Sequence, residues 1–128
     1  MKILIDTHAF LWLLTGDSRL SERAREAFLD TEHKIHLSAA SLWEITIKIS
    51  LGKLKLKKAW METVQKEMKR NLVIWLPIEM PHCEQVTKLP FHHRDPFDRM
   101  LIAQAMVEGM HVLTNDSHFS DYPIKIIW

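Results

Sequence analysis

The chain is poor in cysteine and has no long run of apolar residues. Its one cysteine, Cys83, cannot form an internal disulfide, so a disulfide-stapled fold is excluded and a reducing, cytoplasmic setting is expected. We expect Cys83 to fill the core. No stretch approaches the roughly 18 apolar residues of a membrane span. Asp6 and His8 interrupt the apolar start that a signal peptide requires. The sequence therefore predicts a protein without a membrane segment.

Glycine and proline are also scarce, with three and five among 128 residues. This scarcity argues against linkers and low-complexity segments and favours regular elements joined by short turns. A chain of this length can bury roughly two thirds of the surface that its unfolded form exposes, so no structural metal is needed to hold it together. We predict one domain spanning residues 1–128.

Short apolar runs alternate with longer segments of helical spacing along the chain. This alternation is typical of βαβ units, because parallel strands need crossovers long enough to hold a helix. It predicts an α/β fold with a parallel sheet and helices on both of its faces. The predicted strands are residues 2–5, 35–37, 73–76, 112–114 and 124–127.

Capping signals mark the ends of two of the predicted helices. Ser38 or Ser41 is suited to cap the helix that follows the second strand. Asp95 followed by Pro96 is a typical N-cap and first helical residue, and Gly109 is suited to end that helix. We therefore assign Asp95 to capping.

Four acidic residues lie at the ends of predicted strands or within a few residues of them. Ligands of an open α/β sheet bind beyond the carboxyl ends of its strands. Asp6 follows the first strand and Asp116 follows the fourth. Glu44 lies near the start of the helix after the second strand, and Asp98 lies in the first turn of the helix before the fourth. We expect these four carboxylates to converge at one edge of the sheet.

A cluster of carboxylates is unfavourable unless a cation accompanies it, because like charges repel. Oxygen ligands without a Cys or His pair in ligand spacing favour Mg²⁺ or Mn²⁺ over Zn²⁺. Such ions activate water and neutralise phosphate oxygens. The pattern therefore indicates hydrolysis of a phosphodiester bond, with Asp6, Glu44, Asp98 and Asp116 as both catalytic and metal-binding residues.

Structural roles remain open for the same acids. An Asp after a strand often caps the next turn or helix, which is an alternative for Asp6 and for Asp116. Glu44 also stands three residues after Ser41, the spacing of a capping box. Each acid taken singly is therefore ambiguous, and only their shared location at the predicted edge favours a site.

Four segments in this order and spacing resemble the PIN domain, specifically the VapC-type toxins of toxin-antitoxin pairs. The segments are residues 3–8 (ILIDTH), 38–45 (SAASLWEI), 95–105 (DPFDRMLIAQA) and 114–116 (TND). The resemblance covers essentially the whole chain. It implies a three-layer α/β/α sandwich whose parallel sheet of about five strands has the order 3-2-1-4-5. It also implies an endoribonuclease that depends on Mg²⁺ or Mn²⁺.

The resemblance carries further implications for residues and partners. The same four acids would form the site, with Thr7 and Asn115 as polar neighbours in contact with the substrate. A homodimer and a cognate antitoxin that blocks the site are implied as well. The chain departs from similar proteins after residue 54, where a leucine and proline are common and this chain has Lys55-Leu56-Lys57-Lys58. Any account of that loop by resemblance is therefore in doubt.

Basic residues are concentrated in one part of a chain whose formal net charge is +1. Residues 48–70 contain eight basic and two acidic residues, a balance of +6, so the rest of the chain carries −5. Lys53 and Lys55 in this segment are therefore candidate RNA phosphate contacts, with an ordinary solvated loop as the alternative. Arg99, beside Asp98, is another candidate for a phosphate contact.

Other residues near Asp98, and the aromatic residues, are less specific candidates. His92, His93 and Arg94 are suited to steady phosphates, although paired histidines in a loop are often merely exposed. Tryptophans stack on unpaired bases in some RNA-binding proteins, but at helical spacing they more often pack in a core or a dimer contact. The five tryptophans are at positions 12, 43, 60, 75 and 128.

Two other functions are compatible with the residues. One is a PIN nuclease of RNA maturation that has no antitoxin. The other is a non-catalytic α/β module that binds Mg²⁺ for signalling or structure. A receiver-like module of that kind requires an adjacent acidic pair at the end of the first strand, where Leu4-Ile5-Asp6 supplies one carboxylate. The metal-dependent endoribonuclease is therefore the favoured hypothesis.

Overall fold

A computed structural model describes all residues from 1 to 128. Strands and helices alternate along most of the chain, as the apolar pattern predicts. The elements are β1 (Lys2–Ile5), α1 (Thr7–Thr15), α2 (Glu22–Leu29), β2 (Lys34–Ser38), α3 (Ala39–Ser50), α4 (Trp60–Arg70), β3 (Ile74–Leu76), α5 (Met80–Lys88), α6 (Pro96–Glu108), β4 (His111–Leu113), a 3₁₀ turn (Ser117–Asp121) and β5 (Ile126–Ile127).

The five strands form one parallel sheet in the order β3-β2-β1-β4-β5. This confirms both the parallel sheet and the strand order. The order reverses between β1 and β4, where Ile5 pairs with Leu113. The residues that follow these two strands therefore lie side by side at the carboxyl edge, at the point where crossovers leave in opposite directions and open a crevice.

Alternate residues of the central strands face two separate cores, which confirms the three-layer arrangement. Ile3 and Ile5 of β1 pack with residues of α1, α2, α3 and α4 on one face. Leu4 packs on the other face with residues of α6 and with Leu89 and Phe119. Because successive side chains of a strand point to opposite faces, a fully buried strand reads as a continuous apolar run.

The helix caps place two of the site helices at this edge. Ser38, not Ser41, caps α3, and its hydroxyl accepts a hydrogen bond from the Ala40 N–H at 3.0 Å. The Asp95 carboxylate caps α6 and accepts from the first-turn N–H groups of Phe97 and Asp98, both at 2.9 Å. The assignment of Asp95 to capping is therefore confirmed, and the C-terminal Gly109 adopts the expected left-handed conformation with φ 67°.

Cys83 differs from expectation, since it is exposed on α5 and does not fill the core. The neighbouring His82 is buried instead, and its ring contacts Glu108 of α6. Successive residues of a helix point about 100° apart, so only one of the two can face α6. None of the helices is both long enough and apolar enough to cross a membrane.

Candidate active site

Thr114 joins two of the predicted acids at the reversal of the strand order. It follows β4, is fully buried, and donates a hydrogen bond from its hydroxyl to Asp6 Oδ2. The same hydroxyl oxygen accepts a hydrogen bond from the Asp116 N–H at 3.0 Å. Residue-type patterns did not single out Thr114. The signal that points to it is register: Ile5 pairs with Leu113, so the next residues, Asp6 and Thr114, are also neighbours.

Asp6 caps α1 as well as facing the site. Its Oδ1 accepts a hydrogen bond from the Ala9 N–H at 2.7 Å. The capping alternative for Asp6 is therefore correct, and it is compatible with a site because each carboxylate oxygen accepts more than one bond. Burial raises the pKa of Asp6 above its ordinary value, although hydrogen bonds from Thr114 and Ala9 favour the ionised form.

Glu44 lies in the second turn of α3 with its carboxylate buried, at 3 % exposure. The capping-box alternative is wrong, because α3 begins at Ala39 and Ser38 is its cap. Glu44 Oε2 is 2.7 Å from the Lys48 ammonium, one turn along the helix. Oε1 has no partner and is the only buried side-chain nitrogen or oxygen atom left without one. A buried oxygen of this kind costs about 1–3 kcal/mol unless a ligand engages it.

Asp98, in the first turn of α6, shows how closely the four acids approach one another. Its side chain is 16 % exposed. Burial and the negative charges of Asp95, Glu44, Asp6 and Asp116 raise the pKa of Asp98 to about 8. The structure therefore brings the four predicted acids into one electrostatic cluster, as expected from their positions at the edge.

Hydroxyl and amide hydrogen bonds hold the three helices that carry these acids. The Thr7 hydroxyl of α1 donates to Ser41 Oγ of α3 at 3.0 Å. The Ser38 hydroxyl donates to Gln104 Oε1 of α6 at 2.6 Å. Thr7 is 1 % exposed, so it positions α1 against α3 and is closed to a substrate. Its predicted role as a substrate contact is therefore corrected.

His93 lies between two of the acids and contacts both. Its Nε2 is 2.8 Å from Asp98 Oδ2 and 3.3 Å from Asp116 Oδ2. The Asp95 N–H points to Nδ1 at 3.4 Å, which leaves Nε2 as the nitrogen that donates to the carboxylates. His93 therefore orients carboxylates of the cluster, whereas the sequence suggested that it steadies phosphates.

Asp116 differs from the other acids in being more open to solvent, with 32 % of its side chain exposed. It caps the 3₁₀ turn, so the turn alternative for it is also correct. Burial opposes its ionisation, but hydrogen bonds from the N–H and ring of His118, together with nearby His93, hold the pKa of Asp116 below its ordinary value. Asp116 is therefore ionised at neutral pH.

The side chains of the cluster supply the oxygen ligands that a hard divalent cation binds. Glu44 Oε1 lacks a partner, and burial, together with the neighbouring negative charges, raises the pKa of Asp98 to about 8. A bound cation removes both penalties, since it engages free carboxylate oxygens and stabilises their ionised form. The group whose ligand atoms lie within 4.8 Å of one another is His93, Asp116 and His118, which shares Asp116 with the four acids. The residues present therefore fit a divalent cation.

Arg99 has a structural role in place of the predicted phosphate contact. It is 6 % exposed, and its guanidinium donates to four main-chain carbonyl groups at 2.9 to 3.3 Å. These carbonyls belong to Val86, Leu89, Pro90 and His93. Arg99 therefore holds the loop between α5 and α6, and both of its terminal nitrogens, Nη1 and Nη2, are engaged by main-chain oxygens.

The other predicted substrate contacts are exposed. Asn115 lies beside Asp116 at the mouth of the cluster. Lys53 and Lys55 lie in the loop after α3, beyond the end of the helix that carries Glu44. At 1.5 Å per residue, the end of α3 is about 9 Å from Glu44. Neither lysine forms an ion pair with an acid. Lys48, which the sequence analysis counted only as a charge, is the lysine that contacts an acid.

Comparison with solved structures shows the same fold in toxin-antitoxin complexes. VapBC2 from Rickettsia felis, bound to a promoter DNA fragment, is 14% identical with a TM-score of 0.74, and the match covers 98% of this chain and 97% of that chain. VapBC from Salmonella typhimurium is 21% identical with a TM-score of 0.73, covering 98% and 96%. FitAcB from Neisseria gonorrhoeae is 20% identical with a TM-score of 0.68, covering 97% and 95%.

A search of curated proteins found no match. At identities below 25%, the solved structures show a shared fold. The PIN domain family, however, matches residues 3–125, nearly the whole length. That span contains all four acids as well as Thr114, Lys48 and His93. The chain therefore belongs to the PIN domain family of nucleases.

Proposed function

We propose that the protein is a metal-dependent endoribonuclease and the toxin of a toxin-antitoxin pair. The observation that carries this proposal is the buried carboxylate cluster, with an unpartnered Glu44 oxygen and an Asp98 pKa of about 8. Such a cluster is costly to build, the Lys48 ammonium offsets only the charge of Glu44, and a bound cation would compensate the rest. A bound Mg²⁺ or Mn²⁺ supplies an activated water and neutralises charge on the phosphate.

The chain's own residues divide into those that hold the cation and those that orient the holders. Asp6, Glu44, Asp98 and Asp116 provide the oxygen ligands. Thr114 fixes Asp6 through its hydroxyl. Lys48 and His93 do the same for Glu44 and Asp98. Groups that orient metal ligands commonly change metal affinity or activity by about 10- to 100-fold when they are replaced.

The proposed partners are RNA, a second copy of the chain and an antitoxin protein. Membership of the PIN family and the shared fold with VapBC and FitAcB support the antitoxin. A PIN nuclease of RNA maturation is the second candidate. A small neighbouring reading frame that encodes a DNA-binding protein favours the toxin, and its absence favours RNA maturation.

Purified protein is expected to cleave single-stranded RNA with Mn²⁺ or Mg²⁺ and to lose that activity in EDTA. The same ions are expected to raise the midpoint of thermal unfolding, because a ligand that binds only the folded state stabilises it. At 100-fold above its dissociation constant the ion contributes about 2.7 kcal/mol, which corresponds to roughly 5 °C or more for a domain of this size. Cleavage assays and calorimetry measure the two effects separately. RNA cleavage that persists in EDTA, or a midpoint of thermal unfolding that the ions do not change, contradicts the proposed metal site.

Neutralising the basic loop is expected to weaken RNA binding without impairing the cluster. Replacing Lys53, Lys55, Lys57 and Lys58 by glutamine removes candidate phosphate contacts, and each lost contact reduces the salt dependence of binding. Titrations at several salt concentrations measure the slope of log affinity against log salt. For single strands we expect the slope to fall by about 0.7 for each contact removed. A slope identical to that of the wild type places the loop outside the RNA path. Substituting Lys66, Lys69 and Arg70 of α4 by glutamine, which removes three positive charges against four in the loop, is the control for a general loss of positive charge.

A further inference from the structure

An apolar groove adjoins the acidic cluster along the first turns of α3 and α6. Trp43 directly precedes Glu44 on α3, and Phe97 directly precedes Asp98 on α6. Consecutive residues of a helix point about 100° apart. When Glu44 and Asp98 face the cluster, Trp43 and Phe97 therefore lie on the adjacent side of their helices. Both line the groove, which has a volume of about 500 Å³. The groove therefore adjoins the proposed cleavage site at Trp43 and Phe97, and none of the four acids lines it.

The aromatic side chains of this groove are exposed to an unusual degree. Trp43 is 60 % exposed, and Phe91, also in the groove, is 72 % exposed. The rings of Trp43 and Phe97 meet edge to face with centroids 5.5 Å apart. This contact holds the indole in place while leaving most of it in water. Exposed apolar surface next to a polar site is typical of a surface that binds a ligand.

A positive charge stands at the same groove. Arg94 lines it, is exposed, and takes part in none of the ion pairs of the structure. An aromatic face beside an unpaired guanidinium is the combination that binds single-stranded nucleic acid, since the ring stacks on a base and the cation meets a phosphate. A base-paired strand does not fit this mode, because its bases are already stacked.

We propose that Trp43 and Phe97, with Arg94, form a subsite for one unpaired base of the RNA, next to the phosphodiester that is cut. This subsite rests on the proposed endoribonuclease function and assigns the residues that hold an unpaired base of the RNA. Trp43 stacks on the base, Phe97 holds the indole, and Arg94 contacts the adjoining phosphate.

The structure distinguishes Trp43 from the other tryptophans of the chain. Trp12, Trp60 and Trp128 pack against the core beside α1 and α4. Trp75 is 43 % exposed, but it lies in β3 at the edge of the sheet, two strands from Asp6. Trp75 is therefore a matched control of the same residue type, with comparable exposure and no place at the site.

Binding of a labelled eight-nucleotide single-stranded RNA tests the subsite. The measurement uses fluorescence anisotropy in an Asp98→Asn background, so that the RNA stays intact. Stacking is worth about 1–3 kcal/mol per base, so Trp43→Ala is expected to weaken binding by about 5- to 150-fold. Trp43→Phe is expected to retain most of the affinity and Trp75→Ala all of it. A strand of abasic ribose-phosphate units of the same length is expected to bind Trp43→Ala and its Trp43 parent equally.

Three results overturn the subsite. One is unchanged RNA affinity in Trp43→Ala, and another is an equal loss of affinity on the abasic strand. The third is unchanged RNA binding together with an altered sedimentation of the protein, which makes the groove a protein contact. Failure of the nuclease itself is distinct. If the wild type cuts no RNA in Mn²⁺ while the base-dependent loss persists, the endoribonuclease fails and the base-binding subsite stands.

Discussion

Replacing Asp98 with asparagine is expected to abolish RNA cleavage and, in metal-free buffer, to stabilise the protein. The variant loses a carboxylate ligand, and because a metal contributes several kcal/mol at the transition state, the rate should fall about 10³-fold or more. Stability should rise because burial and four neighbouring negative charges raise the pKa of Asp98 to about 8. Asparagine fills the same space without that charge. Activity and stability therefore move in opposite directions.

The pH dependence of unfolding provides a second readout of the same variant. Asp98 binds its proton more tightly in the folded state, where its pKa is about 8, than in the unfolded state, where it is near 3.8. The contribution of Asp98 to the free energy of unfolding is therefore fully present below about pH 4 and is lost as the pH rises toward 8. Asp98→Asn should flatten this decline between pH 5 and 8 in metal-free buffer, as measured by denaturant titration. Added Mn²⁺ should stabilise the wild type more than the variant.

Asp95→Asn is the matched control for Asp98→Asn. It removes the same charge three residues away, and asparagine caps a helix about as well as aspartate does. Cleavage by Asp95→Asn should remain close to that of the wild type. Wild-type activity in Asp98→Asn, or an equal loss in both variants, contradicts the assignment of Asp98 as a ligand.

Replacing Arg99 with methionine is expected to be the most destabilising single substitution at the site. Four main-chain carbonyl groups lose the donor that satisfies them, and three of their distances are 3.2 Å or more, so the network depends on all its bonds together. Removing a buried charged partner costs about 3–5 kcal/mol. Chemical denaturation measures this loss. Arg99→Lys should recover little, because an ammonium has three donors and lacks the planar fork.

Arg94→Met is the control, since Arg94 is exposed on the same loop and makes no ion pair. Its free energy of unfolding should stay within about 0.5 kcal/mol of the wild type. If Arg99→Met unfolds at the wild-type midpoint and instead loses RNA affinity, then Arg99 is the phosphate contact that the sequence suggested and the structural assignment is wrong.

The position of each acid could be predicted from the sequence because strand ends are local features. Asp6 follows an apolar run, and Asp98 follows the Asp95-Pro96 signal that opens a helix. Parallel strands place their carboxyl ends on one edge, so local position implies convergence. The local signals, however, could not choose between roles. Asp6 and Asp116 both cap and face the site, while Glu44 does not cap at all.

The residues that support the acids could not be predicted in the same way. Thr114 contacts Asp6, which lies far away in the chain. His93 lies in a loop whose conformation places it against Asp98. Arg99 was predicted to contact phosphate because it lies beside Asp98. The sequence does not show whether such a charged side chain points toward solvent or into the protein. Lys48 is the exception, since a basic residue four positions after Glu44 on a helix is a pair that spacing alone suggests.

The sequence by itself determined the α/β fold and the sheet edge beside which the acids lie, and it predicted an oxygen-binding cation there. These features depend on the spacing of apolar residues, on capping residues and on the residues at strand ends, all of which can be identified in the sequence. The tertiary structure decided which polar side chains are buried, as with Arg99 and Thr7. It also decided which of the five tryptophans lines the groove beside the proposed site, namely Trp43. How deeply a side chain is buried, and in which direction it points, depends on the residues that pack around it. The scarcity of cysteine and glycine and the absence of long apolar runs excluded classes of protein, but only packing determined the role of each side chain.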